Sequence, residues 1–390
     1  MFNSLEPNTS EKNYLCKLKV VCLCGALLLP GCKQKHRTDE IPMVSFTEVS
    51  QMKASEIIHN YTVVKLETRE DNLFDYVDIV RMTEDKILVG VLFGTKKSIY
   101  AFTKDGAYIS TVGGSGQGPG EYIGPMEALV DEKGQLIYVW DAGRNKILAY
   151  DIHTLAFRKE NALPFYVTCM EILPDQKMIF YIGKGVRNEG VYTDHFQITD
   201  MNGQWISSFI PRETFQQYSG VWGVTTFFHK AGKEVYAHQP FQATEMRCST
   251  AGVEPAYTLN FSNHSFAPMS VYEKAPDSKS FLASVRDEGY IHYHEVWETK
   301  DKIYVHFGVT EDIYIGIYDK RKKKGVYCRR DAIVDDIGIG VIPRVNFVWK
   351  DRFVASVMLE NFNPPADSDF APYASVDPGK AENPLVLLFE

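Results

Sequence analysis

The sequence predicts an all-β fold in which a four-stranded antiparallel unit repeats along the chain. Alternating, β-rich runs of residues dominate from Tyr61 to the C-terminus. The chain is also rich in the aromatic residues that strands favour, with 22 Tyr and 23 Phe. Short turn sequences such as Lys104-Asp105-Gly106 separate neighbouring runs, because glycine adopts a positive φ at little cost.

The two clearest units follow one another. The first has runs at residues 77–82, 86–91, 98–102 and 107–112. The second has runs at residues 126–131, 136–141, 146–151 and 155–159. Four antiparallel strands joined by tight turns are the content of one β-propeller blade. These two units therefore predict two consecutive blades.

Weaker units continue the pattern and bring the predicted number of blades to six. The runs of units three to six are residues 165–173, 178–182, 195–199 and 205–209; 221–229, 234–238 and 256–261; 290–298, 302–307, 313–318 and 325–328; and 341–349, 353–358 and 385–389. Since an open ring would expose a sheet edge, we expect residues 62–66 to pair into the last blade and close it. We also expect a short helix at residues 278–285 and a surface loop at 361–383.

The N-terminal residues have the features of a lipoprotein signal peptide. Lys17 and Lys19 supply positive charge ahead of an apolar run at residues 20–29, which is too short to span a bilayer. The run ends in a lipobox-like sequence, Leu28-Leu29-Pro30-Gly31-Cys32, which predicts that Cys32 carries lipid. The predicted domains are a signal peptide at 1–31, a polar tether at 32–42 and the propeller at 43–390.

Charge and cysteine content exclude several classes of protein. The formal net charge is −8, whereas binding to nucleic acid needs a concentrated basic face. The single basic run, residues 320–324, lies between two strand-like runs and predicts a solvated hairpin turn. Cys169, Cys248 and Cys328 remain after the tether; they are few, odd in number and far apart, so they predict buried core residues and no disulfide framework.

A resemblance to a known family follows from several motifs. They are Val64-x-Leu66-Glu67-Thr68, Phe102-x-Lys104-Asp105-Gly106, Gly113-x-x-Gly116-Gln117-Gly118-Pro119-Gly120-Glu121-Tyr122, Ile137-Tyr138-Val139-x-Asp141 and Glu382-Asn383-Pro384. With these motifs the chain resembles the six-bladed β-propeller lipoproteins of gut-type anaerobic diderm bacteria, which are similar in design to NHL-repeat proteins. The resemblance implies a fold and an address in the cell envelope, and it supplies no catalytic residues. Surface-display signals of such lipoproteins place acidic residues directly after the lipidated cysteine. Residues 33–37 contain no acidic residue, so we expect the protein to be anchored in the outer membrane and to face the periplasm.

The glycine-rich run at residues 113–122 does not match a nucleotide-binding loop or a hydrolase elbow. A P-loop needs GxxxxGK[ST] before a helix, and here no Lys-Ser or Lys-Thr follows. Nor does the run contain GxGxxG or Gly-x-Ser-x-Gly. We therefore predict that its glycines allow a sharp crossing between blades, with Pro119 fixing φ. The functional alternative is that Glu121 and Tyr122 face a ligand at the channel mouth.

Histidines provide the candidates for metal binding. His292 and His294 are two positions apart on a predicted strand, so their side chains would share a face, and His229 or His306 could complete a site. No cofactor is otherwise predicted. Candidate ligand-binding residues at the channel mouth lie near predicted turns or innermost strands; with Glu121, Tyr122 and the two paired histidines, they are Arg144, Trp222, His229 and Arg344.

Two main functional hypotheses remain open at this stage, and a third possibility is a structural subunit of an outer-membrane assembly. The first is a non-enzymatic, lipid-anchored propeller that binds a glycan, a peptide or an envelope protein at its concave mouth. The alternative is a metal-dependent hydrolase or lyase with its site in the central channel, which rests on analogy between folds. Metal content separates the two hypotheses.

Overall fold

A computed structural model describes residues 40–390, except for residues 75, 94–96, 184–191, 212–226 and 376–380. Residues Ile41–Glu390 form one compact unit. The chain enters this unit through short elements that precede the repeated sheets. They are β1 (Met43–Glu48), β2 (Met52–Lys53), α1 (Ala54–Ile57) and β3 (Thr62–Lys65).

Blades 1 and 2 are four-stranded antiparallel sheets at the positions predicted from sequence. Blade 1 consists of β4 (Ile79–Met82), β5 (Lys86–Val91), β6 (Ser98–Thr103) and β7 (Tyr108–Thr111). A two-stranded parallel ribbon follows, made of β8 (Gly114–Ser115) and β9 (Glu121–Tyr122). Blade 2 consists of β10 (Pro125–Asp131), β11 (Leu136–Asp141), β12 (Lys146–Asp151) and β13 (Phe157–Ala162).

Blades 3 and 4 continue the ring. Blade 3 consists of β14 (Cys169–Leu173), β15 (Lys177–Tyr181), β16 (Asp194–Thr199) and β17 (Trp205–Pro211). Blade 4 consists of β18 (Phe228–Ala231), β19 (Glu234–His238), β20 (Thr244–Ser249) and β21 (Gly252–Phe261). Two helices then interrupt the repeat: α2 (Met269–Lys274) and α3 (Ser278–Asp287), which Asp277 caps by accepting a hydrogen bond from the backbone N–H of Ser280.

Blades 5 and 6 complete the ring. Blade 5 consists of β22 (Ile291–Glu298), β23 (Lys302–Val309), β24 (Asp312–Asp319) and β25 (Lys324–Arg329). The short strand β26 (Ile333–Val334) pairs with β2. Blade 6 consists of β27 (Arg344–Trp349), β28 (Arg352–Val357) and β29 (Leu385–Phe389), with β3 as its fourth strand. Short 3₁₀ helices cover Arg330–Ala332, Leu359–Asn361 and Ala371–Tyr373.

The predicted closure of the ring is confirmed. β3 pairs antiparallel with β29, and Val64 lies opposite Val386. The first strand of each blade contacts the first strands of both neighbouring blades, from β4 through β10, β14, β18, β22 and β27 back to β4. These first strands therefore surround the central channel, as expected for a six-bladed β-propeller.

Hydrophobic clusters hold neighbouring blades together. Within the part of the chain that the structure describes, one apolar cluster lies in each of the six interfaces between blades, and a further one packs α2 against α3. In the interface between blades 1 and 2, for example, Tyr122 and Tyr150 are buried and their hydroxyls donate to backbone carbonyls. Cys169, Cys248 and Cys328 are free and buried, as predicted.

An N-terminal strand joins two blades at their outer edges, which the sequence did not predict. β1 pairs in parallel with β21 of blade 4 and with β25 of blade 5, and so merges these blades into one nine-stranded sheet. Phe46 of β1 is 1% exposed and its ring stacks on Phe261 at 5.1 Å between centroids. We call β1 the strap, because it occupies an edge that each blade would otherwise leave unpaired.

Two further details differ from the sequence predictions, and one agrees with them. Blade 4 has the strand β20, which was not expected because its buried positions include Glu245. Phe362 and Phe370, expected in a surface loop, pack into the core beside blades 5 and 6. The predicted helix at 278–285 is present as α3, with α2 before it. No helix among the described residues has the length and apolar character needed to cross a membrane.

Candidate functional site

One candidate for a ligand site is a cavity of about 600 Å³ at one end of the central channel. It lies where the first strand of each blade ends and turns into the second strand. Every blade contributes at least one lining residue; examples from blades 1 to 6 are Arg81, Val130, Ile172, Lys230, Trp297 and Phe347. We call it the mouth cavity. Its volume lies within the range of about 300–1,000 Å³ that is usual for small-ligand sites.

Paired charges lie in and beside the mouth cavity. Lys230 of β18 contacts Glu171 of β14 at 2.7 Å, and Arg81 of β4 donates to Glu127 of β10 at 2.9 Å. Burial raises the pKa of Glu127 to about 7, against the opposing effect of the Arg81 guanidinium. The channel wall thus carries a carboxyl group that titrates near neutral pH.

Aromatic rings also line the mouth cavity. Phe347 and Trp349 of β27 both line it, together with Trp297 of β22. The Lys104 ammonium lies 3.6 Å from the Trp349 ring centroid, and the Arg81 guanidinium lies 5.7 Å from that of Phe347. Ring faces next to hydrogen-bonding charges can hold a ligand that has both an apolar and a polar side.

The residues predicted from the glycine-rich run do not line the mouth cavity. The Glu121 carboxylate accepts a hydrogen bond from the backbone N–H of Gly118 at 2.8 Å. Gly116 has a φ of +156°, and a Cβ there would lie 2.0 Å from Glu121 Oε2, so the loop needs glycine at this position. Tyr122 is buried, and Arg144 donates to Asp141 Oδ2 at 2.8 Å and to the Glu121 carbonyl. These contacts stabilise the segment that connects blade 1 to blade 2.

Arg344 also lies away from the mouth cavity, at the beginning of β27. Its guanidinium donates twice to Glu295 of β22, once from Nε at 2.9 Å. His306 Nδ1 lies 3.4 Å from the same carboxylate. Burial would raise the pKa of Glu295, but His306 and Arg344 bring it down to about 2. This group links blades 5 and 6. Trp222 lies outside the described residues.

A second candidate site is a buried group of histidine and glutamate residues between blades 4 and 5. His238 of β19 lies directly opposite Glu245 of β20 in the antiparallel register, and His294 of β22 faces them from blade 5. The ligand-capable atoms of these three residues all lie within 4.8 Å of one another. We call these three residues the interface triad. Each of them is at most 2% exposed.

The charge states of the interface triad follow from its burial. Burial and the neighbouring His294 lower the pKa of His238 to about 3, so its ring is neutral at physiological pH. Burial alone would raise the pKa of Glu245, but the adjacent His238, His294 and His229 bring it below its usual value. The triad therefore presents a carboxylate together with a neutral imidazole.

Sequence reasoning identified only part of this group. The predicted pair of His292 and His294 is divided, because the register shifts between Ile291 and Tyr293 and so interrupts the alternation of side chains at His292. His294 belongs to the triad, and His292 does not. The register of the β19–β20 hairpin could have added His238 and Glu245. Among the predicted site residues that the structure describes, His229 alone lines the mouth cavity, and it also contacts Glu245, with Nδ1 3.8 Å from Oε2.

Comparisons with solved structures agree with the observed fold. The chain is similar to a candidate exported protein from Bacteroides fragilis, with 23% sequence identity and a TM-score of 0.76 over 89% of this chain and 99% of that one. It is also similar to a member of the DUF4221 family from Bacteroides vulgatus, with 9% identity and a TM-score of 0.50 over 85% and 96% of the two chains. At these identities the likeness concerns the fold alone. Among curated proteins, no significant match is found.

A family model accounts for most of the chain. The model is described as a 6-bladed beta-propeller, in agreement with the six sheets and the closed ring seen in the structure. It matches residues 32–356, from the predicted lipidation site to β28 of the last blade, so the protein belongs to the DUF5128 family of 6-bladed beta-propellers.

Proposed function

We propose that this protein is a non-enzymatic binding or interaction scaffold of the cell envelope, and that its ligand occupies the mouth cavity. The observation that carries the proposal is the cavity of about 600 Å³ to which all six blades contribute. Concave sites with a few convergent polar groups are where proteins most often bind ligands. A ring of six blades holds such groups rigidly, so binding there needs little reordering.

The cavity lining favours a ligand with both apolar and polar surfaces, such as a glycan or a peptide. Phe347 and Trp349 contribute aromatic surface next to cationic groups, and the paired Lys230 and Glu171 contribute a donor and an acceptor. A sugar ring or an aromatic side chain would stack on the rings while its polar groups reach the charges. Because both signs of charge are present, the lining does not favour a ligand of one strong charge.

We propose that lipid on Cys32 holds the protein to the outer membrane, facing the periplasm. The lipobox-like sequence before Cys32 supports this location, as does the similarity to a candidate exported protein. Several acyl chains on one cysteine would make a firm anchor. A Cys32→Ala variant should move from the membrane fraction to the soluble fraction. Wild-type protein that is already soluble after cell lysis would contradict the anchor.

Binding to the mouth cavity can be tested with tryptophan fluorescence. A panel of oligosaccharides and peptides would be titrated into the purified protein, since bound ligand should change the emission of Trp349 and Trp297. A Trp349→Ala variant should bind the selected ligand at least about 10-fold more weakly. Trp205→Ala is the matched control, because Trp205 lies on β17 and does not line the cavity. Equal affinity of wild type and Trp349→Ala would overturn the assignment of the ligand to this cavity.

The hydrolase or lyase alternative has less support from the geometry. It depended on His292 and His294 acting together in the channel, whereas His294 lies in the buried interface triad and His292 is not a member of it. A catalytic metal keeps one position open to substrate, and a site that is at most 2% exposed gives a substrate little access. The binding role therefore remains the better explanation of the channel.

A further inference from the structure

The interface between blades 4 and 5 contains buried polar atoms that the described residues leave without hydrogen bonds. Both ring nitrogens of His238, both carboxylate oxygens of Glu245 and Nε2 of His294 have no hydrogen-bond partner within the described chain. A buried carboxylate without a donor is costly, and native proteins rarely leave one so. These atoms point at one another, so a single group placed among them could satisfy all three residues.

We propose that His238, Glu245 and His294 bind a divalent transition-metal ion, best matched by Zn²⁺, which cross-links blades 4 and 5. Zinc is held by imidazole nitrogens and carboxylate oxygens, which are the donors of the interface triad. Calcium and magnesium favour sites made mainly of oxygen ligands, so a set with two imidazoles selects against them. The proposal does not depend on the ligand of the mouth cavity.

The distances within the triad are close to those of a coordinated ion. A tetrahedral zinc ion with bonds of about 2.0–2.2 Å places its ligand atoms roughly 3.3–3.6 Å apart. His294 Nε2 lies 3.4 Å from Glu245 Oε1, and His238 Nδ1 lies 3.9 Å from the same oxygen. The rings of His238 and His294 are 4.3 Å apart between centroids. Small rotations of the side chains would bring all three donor atoms onto one ion.

Neighbouring side chains form the outer layer that metal ligands usually have. His229 Nδ1 lies 3.8 Å from Glu245 Oε2, the oxygen that the proposed ion leaves free. His229 Nε2 in turn lies 3.6 Å from Glu298 Oε2, which accepts a hydrogen bond from the Tyr257 hydroxyl at 3.0 Å. Lys320 pairs with the other Glu298 oxygen. Partners of this kind orient the ligands and are needed for tight metal binding.

The position of the triad points to a structural ion. His238 and Glu245 belong to blade 4 and His294 to blade 5, so coordination would join the two blades near the channel. The strap already joins the same blades at their outer edges. A metal at the inner side and a strand at the outer side would hold this interface from both ends. Because the triad is enclosed, the ion would stabilise the ring and would not meet substrate.

Metal binding can be tested on the purified protein with Zn²⁺ as the probe. The protein would be stripped with a chelator, reloaded with zinc, and analysed for metal by mass spectrometry. Co²⁺ loading gives a second readout, since its visible absorption reports tetrahedral coordination. We expect one ion per chain in wild type, and binding at least about 100-fold weaker in His238→Gln, Glu245→Gln and His294→Gln. His292→Gln is the matched control on the same strand and should bind zinc as wild type does.

Wild type that binds no zinc at micromolar concentration would overturn the proposal, and so would His292→Gln that loses zinc as fully as the triad variants. If a triad variant fails to fold, wild type alone remains decisive. Zinc should raise its melting temperature and slow hydrogen exchange in β19, β20 and β22. Stoichiometric zinc without tetrahedral cobalt absorption, or without this slower exchange, would place the ion elsewhere and overturn the proposal too.

Discussion

The strap gives the sharpest test of how this propeller is held together. Phe46 is its most buried residue and lies between blades 4 and 5, against Phe261 and Tyr318. Replacing it with alanine removes the ring but leaves the backbone pairing of β1 available. We expect Phe46→Ala to release the strap from the two blade edges far more often than in wild type.

The size of the effect follows from the burial of Phe46. Moving a phenylalanine side chain out of water contributes about 1.5–3 kcal/mol. The cavity left behind and the lost stacking on Phe261 add to this, so a buried Phe→Ala change costs about 3–5 kcal/mol in total. If the strap opens as a local unit, that free energy corresponds to exchange about two to four orders of magnitude faster.

The assay is native-state hydrogen exchange of peptides that cover β1, β21 and β25. Met43→Ala is the matched control, because Met43 lies on the same strand and is 63% exposed; it should change stability by less than about 0.5 kcal/mol. Gly325→Ala reaches the same contact from blade 5, since a Cβ there would lie 2.7 Å from Phe46 Cδ1 and 2.8 Å from the Ser45 carbonyl oxygen. It should release the strap as well.

Two outcomes would refute this reasoning. If exchange in β1 of Phe46→Ala stays within about threefold of wild type, the strap does not depend on the buried ring. If Met43→Ala speeds exchange as much as Phe46→Ala, the effect comes from the strand as a whole and not from burial. Faster exchange throughout the ring would show instead that the strap is part of one cooperative unit.

Two further predictions concern the channel and the ring closure. Since the pKa of Glu127 is raised to about 7, its contribution to stability is present below the unfolded value of about 4.5 and is lost as the pH rises through 7. Urea titrations at about pH 5.5 and about pH 8 should therefore show wild type gaining about 2 kcal/mol relative to Glu127→Gln at the lower pH, and an unchanged difference would disprove the raised pKa. Asn383 is buried just before β29. Its side chain accepts a hydrogen bond from the backbone N–H of Phe74 and donates one to the Glu67 carbonyl at 2.9 Å. Asn383→Ala should therefore lower the free energy of unfolding in urea by about 2–4 kcal/mol. Asn202→Ala, in an exposed turn, should cost less than about 0.5 kcal/mol, and equal losses would show that the ring closure does not depend on Asn383.

Most of the blades could be predicted because their contacts are local. The strands of blade 1, for instance, are hairpin partners only a few residues apart, and β5 has an unbroken run of buried positions, Lys86–Val91. Hydrophobic alternation and turn residues encode such hairpins directly. Ring closure by β3 and β29 was also predictable, because an isolated edge strand with apolar residues needs a partner.

The strand β20 shows where the same reasoning fails. Its buried positions hold Glu245 and Cys248, so the pattern of apolar residues that marks a strand is missing. Sequence reasoning assumes that a carboxylate lies at the surface, which is correct for most glutamates. Because Glu245 is buried, neither the strand β20 nor the site that Glu245 helps to form could be predicted from the pattern of apolar residues.

The candidate sites depended even more on the tertiary structure. Sequence reasoning predicted the crossing between blades 1 and 2 and gave ligand contact for Glu121 and Tyr122 as the alternative. The tertiary structure shows which contacts hold that crossing, and Arg144 takes part in them. The charged residues of the mouth cavity, such as Arg81 and Glu171, have no local motif. They meet because six strands far apart in sequence end at the same place in space.

The sequence by itself determined the repeating antiparallel unit, the number of blades and the pairing that closes the ring, since these follow from local alternation and from the need to cover sheet edges. Only the tertiary structure decided which polar side chains meet. It placed the strap against strands more than two hundred residues later in the chain, and it brought His294 of blade 5 to the hairpin of blade 4 that carries Glu245. Contacts of this kind depend on how whole blades pack against one another, so the residue pattern of a single strand does not predict them.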